Sequence, residues 1–78
     1  MHAYTPKQGQ YLAFIHYFTK IHKKVPSEAD IQRYFNVTPP TVHQMILNLE
    51  KQRFIERTPG QARSIRLLLG REDLPDLE

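Results

Sequence analysis

Cysteine is absent from the 78 residues, which excludes disulfide staples, thiol nucleophiles and Cys-type zinc sites together. Long apolar runs are absent as well. The longest, Tyr11–Ile15, is five residues, against roughly 18 for a membrane-spanning helix. The N-terminal MHAYTPKQGQ has neither the basic start nor the apolar centre of a secretory signal. A small fold without staples is normal inside the cell, so a cytoplasmic protein is expected, with no membrane partner. There is no internal repeat, no Gly-rich phosphate loop, no Ser/His/acid constellation and no paired carboxylates in the pattern. No catalytic residue is assigned, and an enzyme is not expected. His16 and His22 are six positions apart, about 240° around a helix, and His2 and His43 are isolated. No metal and no cofactor are therefore expected.

What the chain does have is an uneven charge. Residues 1–70 hold ten Lys/Arg against four acids, whereas the last eight, REDLPDLE, hold one Arg against four acids. A basic body suits a polyanionic partner; a merely solubilising surface is the alternative. The length allows one compact domain with a marginal core and leaves little room for a deep cleft between lobes.

Three helical stretches and one hairpin account for nearly the whole chain. Thr5 is suited to cap a first helix with Pro6 at its first position, where the missing N–H has no partner to lose. Tyr11, Leu12, Phe14, Ile15 and Phe18 then recur as a helical stripe. Gly9 inside this helix weakens its first turns by up to about 1 kcal/mol. Pro26 disfavours a helical Val25, so His22–Pro26 is extended and offers a short strand. Ser27 opens a second helix, with Asp30 in a variant of the capping box. Ile31, Tyr34 and Phe35 supply its buried side. Asn36 tolerates the left-handed conformation that ends helices. Thr38 caps a third helix whose first turn holds Pro39 and Pro40. Two helices joined by Asn36-Val37-Thr38 form a tight helix-turn-helix.

At 100° per residue the third helix sorts into two faces. Val42, Ile46, Leu49 and Met45 form the core side. Thr41, Gln44, Asn48 and Lys51 lie opposite, with His43 and Leu47 at the edge. The exposed face is thus short-chained and amide-rich, and Thr, Gln and Asn are side chains that hydrogen-bond base edges in the major groove. Leu47 is unusual there: it suits a thymine methyl, a place beneath the hairpin or a weak dimer contact. After the helix, Phe54–Arg57 and Ala62–Leu68 read as strands, with Pro59 and Gly60 at the centre of a type II turn. Alternation puts Ile65 and Leu67 on one face and Ser64, Arg66 and Leu68 on the other. Arg57, Arg63 and Arg66 cluster near this ribbon. The predicted class is α+β, mainly α: a winged helix-turn-helix over residues 1–69, three helices followed by a β-hairpin wing. Residues 70–78, acidic and without periodicity, are expected to be a flexible tail, able to fold over the basic face and lower nonspecific affinity.

TPKQ at the first helix, VPSEADI at the second, TPPTVHQMILNLEKQRFIER at the third and PGQARSIRLL across the hairpin are collinear without a gap from Thr5 to about Leu68. Together they resemble the N-terminal DNA-binding domain of LexA-type repressors. The resemblance implies a third helix in the major groove and a wing on the phosphate backbone. It puts Thr38, Pro40, Thr41, His43 and Gln44 at the base-reading start of that helix. Pro40 departs from the pattern, since it offers only apolar contact. In that family a self-cleaving domain with a serine-lysine dyad follows and supplies most of the dimer interface. The resemblance covers the DNA-reading part without that peptidase domain, so neither self-cleavage nor stable dimerisation is expected of these residues.

The expected function is sequence-specific binding of double-stranded DNA, as a bacterial transcriptional regulator or repressor. The base contacts expected are Thr38, Thr41, His43, Gln44 and Asn48. The phosphate contacts expected are Lys7, Lys51, Arg57, Gln61, Arg63 and Ser64. No small-molecule ligand is expected, and a second copy only as a weak or DNA-templated homodimer. The alternative is a winged-helix protein-interaction module without direct DNA readout.

Overall fold

The computed structural model describes residues 4–78; His2 therefore lies outside the described residues. The elements run α1 (Pro6–His22), α2 (Glu28–Phe35), α3 (Pro39–Lys51), β1 (Ile55–Glu56) and β2 (Arg66–Leu67), followed by a 3-10 turn at Arg71–Asp73. The two strands form an antiparallel ladder that sets Ile55 against Leu67 and Glu56 against Arg66. This is the expected winged helix-turn-helix.

Local chemistry sets the helix ends. At α1 the Gln8 backbone N–H donates to the Thr5 hydroxyl (3.1 Å) and the Thr5 N–H to the Gln8 side-chain Oε1 (3.0 Å), a complete capping box. Ser27 and Asp30 reproduce the device at α2, at 2.9 and 3.2 Å. Asn36 ends α2 at φ 54°, in the left-handed region, so the chain reverses into α3 within two residues. Thr38 holds the capping position of α3, but its side chain makes no cap bond; its hydroxyl pairs with that of Thr41 at 2.9 Å. Pro39 and Pro40 carry no N–H, which leaves few donors in that turn for a cap to satisfy.

The core is built from Tyr11, Leu12, Phe14 and Ile15 of α1, Ile31 of α2, Val42, Ile46 and Leu49 of α3, Ile55 and Ile65 of the hairpin, and Leu74. Phe35 lies partly buried beside it and stacks on Tyr11 at 4.2 Å. Met45 lies half-buried beside this cluster, so the helical periodicity read from the sequence matches the buried side of α3.

Three expectations need correction. The strands are shorter than their patterns, and His22–Pro26 forms no strand. Helix α1 continues to His22, and Lys23 caps it at φ 60°. The second strand begins only at Arg66. Arg63, expected within it, lies in a turn, and its guanidinium donates to the Val25 carbonyl (3.1 Å) and to Asp30 (2.7 Å). The third correction concerns the acidic segment, which is docked and not flexible. Leu74 is buried in the core, Leu77 packs against it, and Gln10 bonds the backbone of Asp76 (3.0 Å) and Glu78 (2.8 Å). Tyr34 donates to the Glu78 carbonyl at 2.9 Å, and Tyr4 to that of Asp73.

The docked segment also explains Gly9. A Cβ at that position would sit 2.9 Å from the Tyr4 ring and 3.1 Å from Pro75. Gly9→Ala gains up to about 1 kcal/mol of helix propensity, yet the clash acts against it. We expect thermal melts of Gly9→Ala to show no gain in stability; a clear rise in melting temperature would show that the contact yields freely.

Candidate nucleic-acid interface

Helix α3 presents one face to the core and leaves the other uncovered. Thr38, Thr41, His43, Gln44, Asn48 and Lys51 are all exposed on it. Thr38 and Thr41 pair through their hydroxyls, and the Gln44 side-chain Nε2 donates to the Asn48 side-chain Oδ1 at 3.1 Å. The base-reading set read from the sequence is thus brought together on three successive turns. The internal pairs hold the side chains in fixed orientations, each with polar atoms left over for a partner. Leu47 is exposed on the same side and takes no part in the core, which removes a place beneath the wing.

His43 sits at the edge of this face. Its Nδ1 lies 3.3 Å from Glu28 Oε1. Glu28 in turn lies 3.8 Å from Arg57, whose Nε donates to Glu50 at 3.0 Å. A chain of polar contacts therefore runs from the recognition helix to the N-terminus of α2 and on to the start of the wing. It braces three elements against one another.

The wing turn closes as the sequence predicts. Gly60 has φ 82°, and the Gln61 N–H donates to the Thr58 carbonyl at 3.2 Å, the geometry of a type II turn. Ser64 accepts the Thr58 N–H at 2.9 Å, and its hydroxyl lies 3.1 Å from the Thr58 carbonyl and 3.2 Å from that of Gln61. Its polar capacity is used inside the turn. Gln61 is exposed at the tip.

The wing arginines are more engaged than their sequence positions suggest. Arg57 is paired with Glu50 and Glu28, Arg63 with Asp30, and Arg66 with Glu56. Asp30 is buried and also holds Arg33 at 2.6 Å. Burial alone would raise its pKa, but bonds from Ser27 and the Arg63 guanidinium outweigh that and lower it to about 2. It remains a carboxylate at neutral pH, able to hold Arg63. Lys7 is exposed on α1 and lines a cleft with Gln10, Tyr34, Pro75 and Glu78, so its neighbour is the C-terminal segment and not the wing. Sequence reasoning missed Glu28, Asp30 and Glu50 as partners of the arginines. In sequence, Asp30 is assigned to the capping box of the second helix, and Glu28 and Glu50 are given no role.

A helix-turn-helix with an uncovered amide-rich third helix and a basic-residue hairpin beside it is the arrangement of a known family. The model of the LexA DNA binding domain matches residues 1–64. This chain belongs to that family. Among individual relatives it is 36% identical over 70 residues to the LexA repressor of Thermosipho melanesiensis, covering 90% of this chain and 35% of that protein. It is 38% identical over 64 residues to the LexA repressor of Thermosipho africanus, covering 82% and 32%. It is 35% identical over 63 residues to that of Thermotoga maritima, covering 81% and 32%. The chain spans about a third of the length of these relatives. None of the described helices is long and apolar enough to cross a membrane, and among the described residues no group of three His, Cys, Asp or Glu side chains is placed to hold a metal ion.

Proposed function

We propose that the chain is a sequence-specific reader of double-stranded DNA that acts as a transcriptional repressor by occupancy, in the cytoplasm of a bacterium. One observation carries the reading. The exposed face of α3 holds Thr41, Gln44 and Asn48 in line, with none of the described elements over them, and an α-helix fits the B-DNA major groove. Gln44 is the principal base reader, its amide suited to adenine N6 and N7. Thr41 and Thr38 contact base edges or the adjacent phosphate near the helix start, His43 lies at the strand edge, and Asn48 orients Gln44 or shares its base. Lys51 and the wing tip at Gln61 fix the register on the backbone. Arg57, Arg63 and Ser64 support the wing from within. One such domain covers a short half-site, so tight specificity calls for two copies paired on the DNA.

Fluorescence anisotropy on labelled duplexes across a salt series tests the proposal. Binding should weaken linearly in log–log form as salt rises; salt-insensitive binding, or none at low salt, would sink it. Once a preferred site has been selected, Gln44→Ala should reduce discrimination at one base pair by about 1–3 kcal/mol while affinity for random duplex stays within about 2-fold, since phosphate contacts supply that term. A uniform loss across all sequences would instead make Gln44 a backbone contact.

A further inference from the structure

The basic surplus lies mainly with the lysines. Arg33, Arg57, Arg63, Arg66 and Arg71 each have a carboxylate partner. Among the described residues Lys7, Lys20, Lys23, Lys24, Lys51 and Arg53 have none. Three of these free cations lie in one stretch at the end of α1, and no acid occurs between His16 and Ser27. Arg63 ties this stretch to the wing through the Val25 carbonyl. Lys20 and Val25 line one cleft with Ile65 and with Arg66 and Leu67 of the second strand. The loop is held in place: Pro26 is fully buried, and Lys23 turns the chain out of the helix at φ 60°. Lys23 and Lys24 themselves are exposed. In the fold, β1 contacts α3 and β2 contacts α1, so the stretch that ends α1 is joined to the recognition helix through the hairpin.

We infer that Lys23 and Lys24 form a phosphate-binding strip that extends the DNA footprint past the wing, with Arg63 acting as the group that positions their loop. The inference rests on the DNA-binding reading above. Free ammonium groups on a tethered loop release counterions when they meet the backbone, whereas guanidinium groups already neutralised by carboxylates contribute less to that term. The strip reads no bases. It adds affinity equally for all sequences and requires duplex on the wing side of the site.

The test is the double variant Lys23→Asn/Lys24→Gln, with Asn chosen because it accepts the left-handed backbone. Lys24→Gln alone serves as a second variant that leaves the helix cap untouched. Each is titrated by anisotropy against a random duplex across a salt series. The double variant should lower the log–log slope by about 2 and weaken binding on the order of 50-fold near 0.1 M salt, and the single variant should lower the slope by about 1. Site discrimination should not change. Shortening the duplex on the wing side should cost the native chain affinity and leave the double variant nearly unaffected. Native slopes in both variants would overturn the strip while leaving the DNA-binding reading intact. Absence of salt-dependent binding by the native chain would overturn both.

Discussion

Leu74→Ala is expected to lower the unfolding free energy by about 2–4 kcal/mol, and with it the melting temperature by about 10–25 °C for a domain of this size. Leu74 is 8% exposed and belongs to the same cluster as Tyr11, Ile31 and Ile46. Truncating it opens a cavity in a core that has few residues to close over it. The total stability of such a domain is about 5–10 kcal/mol, so this single change removes a large part of it. Deleting residues 71–78 should do at least as much, because Leu77 and the bonds from Gln10, Tyr34 and Tyr4 go with it. Chemical denaturation of the two variants and the native chain measures both. A native-like midpoint for either would mean that the segment is only loosely held. At a temperature where all three are folded, the truncated chain should bind random duplex as the native chain does. The backbone of Asp76 and Glu78 is held by Gln10 of α1 and Tyr34 of α2, and this argues against a tail that screens the DNA-binding surface.

The second large effect is centred on Asp30. Asp30→Asn keeps an acceptor for the Ser27 N–H but leaves Arg63 and Arg33 without their carboxylate. We expect a loss of about 2 kcal/mol, less than the 3–5 typical of a fully buried broken pair, because the Arg63 side chain is 40% exposed and can turn to water. The pH dependence identifies the cause. The carboxyl is lowered from 3.8 to about 2 in the folded protein. A depressed carboxylate pKa contributes stability that is fully present above the unfolded value and is lost as pH falls through the folded one. The gap between native and Asp30→Asn unfolding curves should therefore be constant above pH 5, narrow from about pH 4 and be largely gone near pH 2. A gap that persists at pH 2 would assign the effect to packing. A double-mutant cycle with Arg63→Gln should give a coupling on the order of 1 kcal/mol.

The helices were legible because their causes are local. Thr5-Pro6 and Ser27 with Asp30 announce the starts of α1 and α2, Asn36 the end of α2, and Pro59-Gly60 the wing turn, each through backbone chemistry confined to a few neighbouring residues. The two faces of α3 follow from a period of 3.6 set against a core, so Thr41, Gln44 and Asn48 could be placed outward before any packing was known. The family resemblance rests on those same stretches, and the match over residues 1–64 agrees with it.

Long-range partnership was not legible. Arg63 and Asp30 stand 33 positions apart, and Arg57 reaches Glu28 across 29. In the sequence the arginines look free for phosphate and the acids look like helix caps, because a charge's partner depends on which elements meet in three dimensions. The C-terminal segment is a similar case. Leu74 and Leu77 among acids and Pro75 carry no period from which burial can be read, and only the assembled core cluster gives them a place. Sequence by itself determined the winged helix-turn-helix and the face α3 presents, since propensity, capping and periodicity are properties of neighbouring residues. Tertiary structure alone decided which cations remain free and that the acidic segment is part of the core, since ion pairing and burial are properties of residues far apart in the chain.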